Sequence, residues 1–178
     1  MSERLKALEK FRDLVVAEAK NELQRLNKDS SGKLRNSIKG EVKEMPNSIG
    51  VYFEMEPYGN FQDKGVSGVK QKFDTPYSYK TKMPPPSKLD KWIVRKGIAP
   101  RAKGKFTGRT VSAVGFKKSI QFLVARSIFY NGIKPSLFFT RPFEAAYKTL
   151  PDTLIDKYGL DAEQLLNEIL DQNLKNIK

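Results

Sequence analysis

The chain has 178 residues, 39% of them apolar and 30% charged, which is the size and composition of one globular domain with one modest core. It contains no cysteine and no histidine, and this excludes disulfides, thiolate nucleophiles, imidazole bases and zinc sites of the usual kind. The formal net charge of +13 favours an anionic partner, and no apolar run is long enough to cross a bilayer, so no membrane role is expected.

The N-terminus, Met1-Ser2-Glu3-Arg4-Leu5, is charged and has no apolar core, so it does not read as a secretory signal. From Ser2 to Asn27 the apolar residues Leu5, Leu8, Phe11, Val15, Ala19, Leu23 and Leu26 recur every three or four positions. That spacing predicts a long amphipathic helix. Asp29-Ser30-Ser31-Gly32 then reads as a stop and a turn. Two segments of period two follow. Ile38, Gly40 and Val42 share one face of the first, and Ile49, Val51, Phe53 and Met55 share one face of the second. With turn chemistry at Met45-Pro46-Asn47 between them, they predict an antiparallel hairpin with one buried face. Glu54 and Glu56 fall on its solvent side, where exposed charge is the expected reading rather than a catalytic pair.

Tyr58 to Gly65 is a short aromatic stretch, and Val66 to Pro86 is loop-like, ending in three prolines that fit neither a helix nor a central strand. Ser87 with Asp90 resembles a capping box ahead of a short helix carrying Leu89, Trp92 and Ile93, with Gly97 as its stop. Ala99 to Gly108 is basic, rich in small residues and expected to be mobile. All of the excess charge lies here. Lys64 to Lys118 holds 15 Lys/Arg against Asp74 and Asp90 alone, whereas residues 1–63 hold 11 of each sign and residues 119–178 hold 7 of each. The segment reads either as a solvated insertion at about residues 66–112 or as a contact for DNA phosphate or an acidic protein surface. Its candidate contact residues are Lys70, Lys72, Lys80, Lys82, Arg101, Lys103, Lys105 and Arg109. Phe73, Tyr77 and Tyr79 are interleaved with the first four of these, a mixture that suits single-stranded nucleic acid. The favoured alternative is that the rings pin a long loop onto the body or onto a neighbouring subunit.

A second long helix is expected from Ser112 to Asn131, with Phe116, Ile120, Leu123, Val124 and Ile128 on its apolar face and Gly132 as its stop. Pro142 fits the first turn of a further helix bearing Phe143, Ala146, Tyr147 and Leu150. Pro151 kinks that helix or opens a new one. Asp161 with Gln164 resembles a capping box for a last helix with Leu165, Leu166, Ile169, Leu170 and Leu174. The order predicts an α+β fold: a small antiparallel sheet with a β-hairpin, a long N-terminal helix and C-terminal helices packed on one face, and a long basic insertion. No catalytic constellation stands out. Gly104 to Thr110 has a passing likeness to a phosphate-binding loop, but its spacing is wrong and Arg109 stands where the lysine is required.

Three stretches carry a resemblance to a known family. Ser31-Gly32-Lys33-Leu34-Arg35-Asn36-Ser37-Ile38 is similar to a Thr-Gly-x-Leu-Arg-x-Ser-Ile opening of a first strand. Tyr58-Gly59-Asn60-Phe61-Gln62-Asp63-Lys64-Gly65 resembles Tyr-Ala-x-Tyr-x-Glu-x-Gly after a hairpin. Lys134 to Phe143 resembles Pro-x-Pro-Phe-Leu-x-Pro-Ala ahead of the last helix. In this order they resemble the tail-component family of tailed bacteriophages, which includes tail completion and head–tail joining proteins. Asp63 stands where Glu is usual, and Val66 to Ser112 is longer than the family's minimal form. The resemblance implies fold determinants at Gly32, Leu34, Arg35, Ile38, Tyr58, Phe61, Gly65, Pro135, Phe139 and Pro142. It implies a non-enzymatic virion protein of the neck or tail, made in the host cytoplasm and needing no cofactor. Its copies would form a homo-oligomeric ring, with six as the expected number. The ring's partners would be connector or portal-side proteins and tail-tube or terminator proteins, and the Lys64–Lys118 segment would either line the channel, where genome DNA passes, or reach an acidic face of an adjacent ring. The competing reading is a nucleic-acid-binding module that uses the basic 64–118 segment.

Overall fold

The computed structural model of the chain describes residues 3–45, 48–98, 101–102, 105–106, 114–151 and 162–175. The chain divides into two compact units, Met1–Asp63 with Ser136–Lys178, and Lys64–Pro135.

The first unit is built on the long helix α1, Glu3–Arg25. Its predicted stripe is the buried one: Leu8, Phe11, Val15, Ala19 and Leu23 are all in the core. The helix ends earlier than the Ser31-Gly32 turn. Asn27 adopts the left-handed conformation (φ 51°), and its N–H and that of Lys28 donate to the carbonyls of Gln24 and Leu23. That is the pattern by which a residue just past a helix satisfies its last open carbonyls, and Asn is one of the few side chains that tolerate it.

The hairpin pairs β1, Lys39–Met45, with β2, Ser48–Glu54, antiparallel from Lys39 opposite Glu54 to Met45 opposite Ser48. Gly40 lies opposite Phe53 and Val42 opposite Val51, so the predicted apolar face is the one turned to the core. The expected turn residues Pro46 and Asn47 fall outside the described residues. A Cβ at Gly40 would come within 3.2 Å of Val16 Cγ2, so α1 crosses the hairpin at close range there.

The first motif is not the opening of a strand. Lys33–Ser37 forms a short helix, α2, with Gly32 (φ 71°) at its start, and β1 begins only after Ile38. A strand there would have no partner, because past Glu54 the chain leaves the ladder and enters helix α3, Tyr58–Lys64. Instead Ser37 Oγ donates to Leu34 O at 2.7 Å and accepts from Glu56 N at 2.9 Å, and Lys33 pairs with Glu56 at 3.0 Å. Glu56 is therefore an anchor for α2, while Glu54 is exposed as expected.

Helices α6, Thr140–Tyr147, and α7, Ala162–Lys175, complete this unit. Phe143, Ala146 and Leu150 are buried beside α6, and Leu166, Ile169 and Leu170 on α7, as their spacing predicts. The capping residue Asp161 and the segment after Pro151 lie outside the described residues. The core is a cluster of edge-on aromatic rings. Phe11 lies 5.4 Å from Phe143 and 6.1 Å from Phe53, and Phe53 lies 5.5 Å from Phe139. Each such pair adds about 0.5–1.5 kcal/mol beyond the area it buries.

The second unit contains a 3₁₀ turn, Pro86–Leu89, that runs into α4, Asp90–Arg95, and the long helix α5, Val114–Asn131. Ser87 is not a cap: it lies within the 3₁₀ turn, and no side chain caps either element. Three prolines fix the approach, and Pro86 at the first position needs no N–H partner. Gly97 (φ 59°) ends α4 as predicted, with Gly97 N on Val94 O and Ile98 N on Ile93 O. Gly132 (φ 75°) ends α5 in the same way. The buried side of α5 is centred on Ile120, Gln121 and Ala125, with Val124 and Ile128 half-buried. Leu123, expected on that face, is 60% exposed. Within this unit α5 is covered by the stretch Pro86–Arg95 and by the loop Val66–Tyr79. The stretch expected to be loose carries two-residue strands, β3 at Arg101–Ala102 and β4 at Lys105–Phe106, paired antiparallel.

Candidate functional site: motif junctions and a cationic unit

The three motif stretches, far apart in sequence, meet at two junctions in the first unit. At one, Gly59 of α3 lies so close to α2 that a Cβ there would fall 3.0 Å from Leu34 Cδ1 and 2.8 Å from Met55 Sδ. Leu34 and Ile38 are buried, and Arg35 reaches back to Asp29 at 2.9 Å, closing the turn between α1 and α2. At the other, Asp63 is fully buried and holds the start of α6. Its Oδ1 accepts from Phe139 N at 2.8 Å and Thr140 N at 3.2 Å, and its Oδ2 accepts from the Thr140 hydroxyl. The carbonyl of the same residue accepts from Ser136 N and Leu137 N at 3.1 and 3.0 Å. Leu137 takes a left-handed backbone (φ 54°) at this bend. A carboxylate at a helix N-terminus, meeting open N–H groups, is a cap delivered from another element.

Of the other expected determinants, Phe139 and Pro142 are buried, Phe61 is half-buried and Tyr58 is exposed. Gly65 and Pro135 meet in the second unit, where Gly65 (φ 75°) is packed against the Ile133 carbonyl and the proline ring. Sequence reasoning missed two ties made by amides. Asn60 donates to Leu170 O, and Asn173 accepts from Met55 N at 3.2 Å and donates to Ile169 O at 2.9 Å, fastening α7 to the end of the hairpin. Asn173 lies among polar and charged neighbours like a surface residue, and Asn60 sits in the aromatic stretch Tyr58–Phe61, where nothing local names the distant carbonyl it meets.

The second unit carries 17 Lys/Arg against 2 Asp/Glu, a net charge of +15, and the first carries 16 against 18, a net charge of −2. The ion pairs Arg12–Asp13, Arg25–Glu22, Lys33–Glu56, Arg35–Asp29 and Lys43–Glu41 all lie in the first unit. Lys70, Lys72, Lys80 and Lys82 are exposed in the second. Lys70 sits 5.1 Å over the Tyr130 ring, which Arg126 also faces at 5.7 Å, and Lys72 Nζ donates to Gly68 O at 2.9 Å. Arg101 and Lys105 lie on β3 and β4, while Lys103 and Arg109 fall outside the described residues.

The aromatic residues of this loop face inward. Phe73, Tyr77 and Tyr79 are all half-buried, and Tyr79 lies 6.3 Å from Phe129 of α5. Burial pushes the Tyr79 phenol above its ordinary pKa. Ser67 bridges Val66–Tyr79 from within: its N–H donates to Tyr77 O, its carbonyl accepts from Tyr79 N, and its hydroxyl bonds Phe73 at both O and N. The rings pin the loop onto α5, which is the alternative favoured over base stacking.

An apolar groove of about 370 Å³ lies in the first unit, lined by Leu8, Ile49, Val51, Tyr147 and Leu165 with Glu168 at its edge. Among the described residues no three acidic, His or Cys side chains are grouped to hold a metal ion, and no helix is long and apolar enough to cross a membrane. The chain matches no protein-family model, no curated protein and no solved structure.

Proposed function

We propose that the chain is a non-enzymatic structural subunit of a tailed-bacteriophage neck, of the tail completion type, acting as one copy of a ring that joins the tail to the head-side connector. The observation that carries this reading is where the three motif stretches meet. Residues of the stretches that resemble tail components are spent on junctions: Leu34 under Gly59, Asp63 on the first turn of α6, Gly65 against Pro135. Residues that fix a fold, rather than present chemistry to solvent, are what an assembly subunit shares with its kind. The division of charge supports the same reading. A unit with a net charge of +15 repels its own copy across a two-fold axis, so self-association is favoured head to tail, the arrangement that rotational symmetry closes into rings.

The test is the mass of the purified protein by light scattering across concentration and salt, followed by negative-stain imaging. Closed rings, or a monomer that forms them as concentration rises, are the expected result. A strict monomer that binds oligonucleotides tightly overturns the reading in favour of a nucleic-acid-binding module.

A further inference from the structure

The 3₁₀ turn and α4 carry three cations that the charge pattern of the sequence does not set apart from their neighbours. Lys88, Lys91 and Arg95 stand at spacings of three and four, so they share one side of the helical stretch. All three are exposed, while Ile93, on the opposite side, is 1% exposed and anchors the helix to its unit. Trp92 and Val94, 37% and 63% exposed, flank the crest, and the nearby carboxylate, Asp90, belongs to the Val94 side rather than to the crest. Lys80 and Lys82, also exposed, precede it in the loop.

We propose that this crest is a contact for the phosphate backbone of duplex DNA, bound without regard to sequence. Four residues of helix rise about 6 Å, close to twice the roughly 3.4 Å by which successive phosphates of one strand advance along the duplex axis. The crest offers long cations at that repeat and no acceptor at its centre, so it reads the spacing of charge and not the edge of a base. A duplex is favoured over single strands because Phe73, Tyr77 and Tyr79, the rings that could stack on open bases, are half-buried in holding the loop. It is favoured over an acidic protein because three exposed cations stand in one row and the apolar side chains, Trp92 and Val94, only flank it. In a neck ring this duplex is the genome in transit. That setting rests on the function proposed above, whereas the contact itself can be measured whatever the state of assembly.

The experiment uses the full chain and a duplex of about 20 base pairs. Binding is followed by fluorescence anisotropy of the labelled duplex and by the emission of Trp92, the chain's single tryptophan, which sits beside the crest. Five phosphate contacts predict a slope of log K against log salt of about −4.5, so a fourfold rise in salt weakens binding on the order of 500-fold. Replacing the crest (Lys88→Gln, Lys91→Gln, Arg95→Gln) lowers the slope to about −1.8 and the same rise in salt then costs about 12-fold. A control of equal charge in the first unit, Lys6→Gln with Lys10→Gln and Lys39→Gln, leaves the slope unchanged. If the triple crest variant fails to fold, Lys91→Gln alone tests the same contact, with an expected drop in slope of about 0.9. No binding at low salt overturns the proposal. So does an equal loss in both triples, which would make the attraction one of net charge, and so does a polyglutamate peptide that binds as tightly as the duplex. Rings seen by light scattering together with no DNA binding would sink the crest and leave the neck reading standing.

Discussion

At Asp63 one side chain and one carbonyl collect five donors from a single bend of chain, Ser136 to Thr140, and no water is needed to satisfy any of them. Removing the carboxylate strands the N–H groups of Phe139 and Thr140 and a hydroxyl in a buried place. Each buried donor left open costs about 1–3 kcal/mol, so Asp63→Ala should lower stability by about 3 kcal/mol or more. Asp63→Asn keeps one acceptor oxygen, and the Thr140 hydroxyl can turn to accept from the new amide, so its loss should be less than half as large. Urea midpoints followed by circular dichroism rank the three proteins. Equal midpoints for the alanine variant and the parent would show that the cap contributes nothing. Tyr79 gives a second prediction, in pH. Its phenol titrates higher in the folded chain than in the unfolded one because burial disfavours the phenolate. The stability this implies is whole below the ordinary phenol pKa of about 10 and is lost as pH rises through the higher folded value. Absorbance of the phenolate band during an alkaline titration should show a late-titrating component that is absent in Tyr79→Phe.

Helices and hairpin differ in how much of them the sequence displays. A stripe such as Leu8, Phe11, Val15, Ala19 and Leu23 is a local pattern, since every partner it needs lies on one face of one element. The hairpin is nearly as local, its register set by a two-residue connection and by alternation. Helix α2 was hidden because its cause is distant: Ser37 and Lys33 are held by Glu56, some twenty residues on, and the strand it replaces fails for want of a neighbour. The Asp63 cap was hidden for the same reason, with donor and acceptor separated by more than seventy residues. On the charged side, composition revealed the basic segment. Only the 3₁₀ turn and α4 together, with Ile93 inward, show that three of their cations form a row. Glycine stops were legible, and they separate into two kinds. At Gly97 a Cβ would meet nothing, so Gly97→Ala should carry only the left-handed strain, about 1–2 kcal/mol. At Gly132 a Cβ would also overlap the Val66 carbonyl at the bridge that closes the loop on α5, so Gly132→Ala should cost clearly more. Thermal melts of the two variants compare them directly, and a smaller loss at Gly132 would show that the bridge yields.

The two units differ as wholes in how they meet salt. The first is held by an aromatic core, several close ion pairs and a near-balanced charge, so moderate salt screens attractions and repulsions in similar measure. The second confines fifteen uncompensated positive charges to 72 residues and has the smaller core, with Val66, Ile93, Ile120 and Ala125 as its buried apolar side chains among the described residues. Its own repulsion opposes its folding, and that repulsion is screened as the Debye length falls from about 30 Å at 0.01 M to about 8 Å at 0.15 M. Hydrogen exchange measured along the chain at both salt concentrations should therefore show protection rising with salt in α4 and α5 and staying level in α1, β1 and β2. A phosphate polyanion should do in low salt what sodium chloride does in high salt, because bound phosphates remove the same repulsion at closer range. Protection that falls with salt in α5 would mean that attractive pairs, not repulsion, govern this unit. The cations would then already be committed within the protein, and a surface so committed would have little left to offer a nucleic acid.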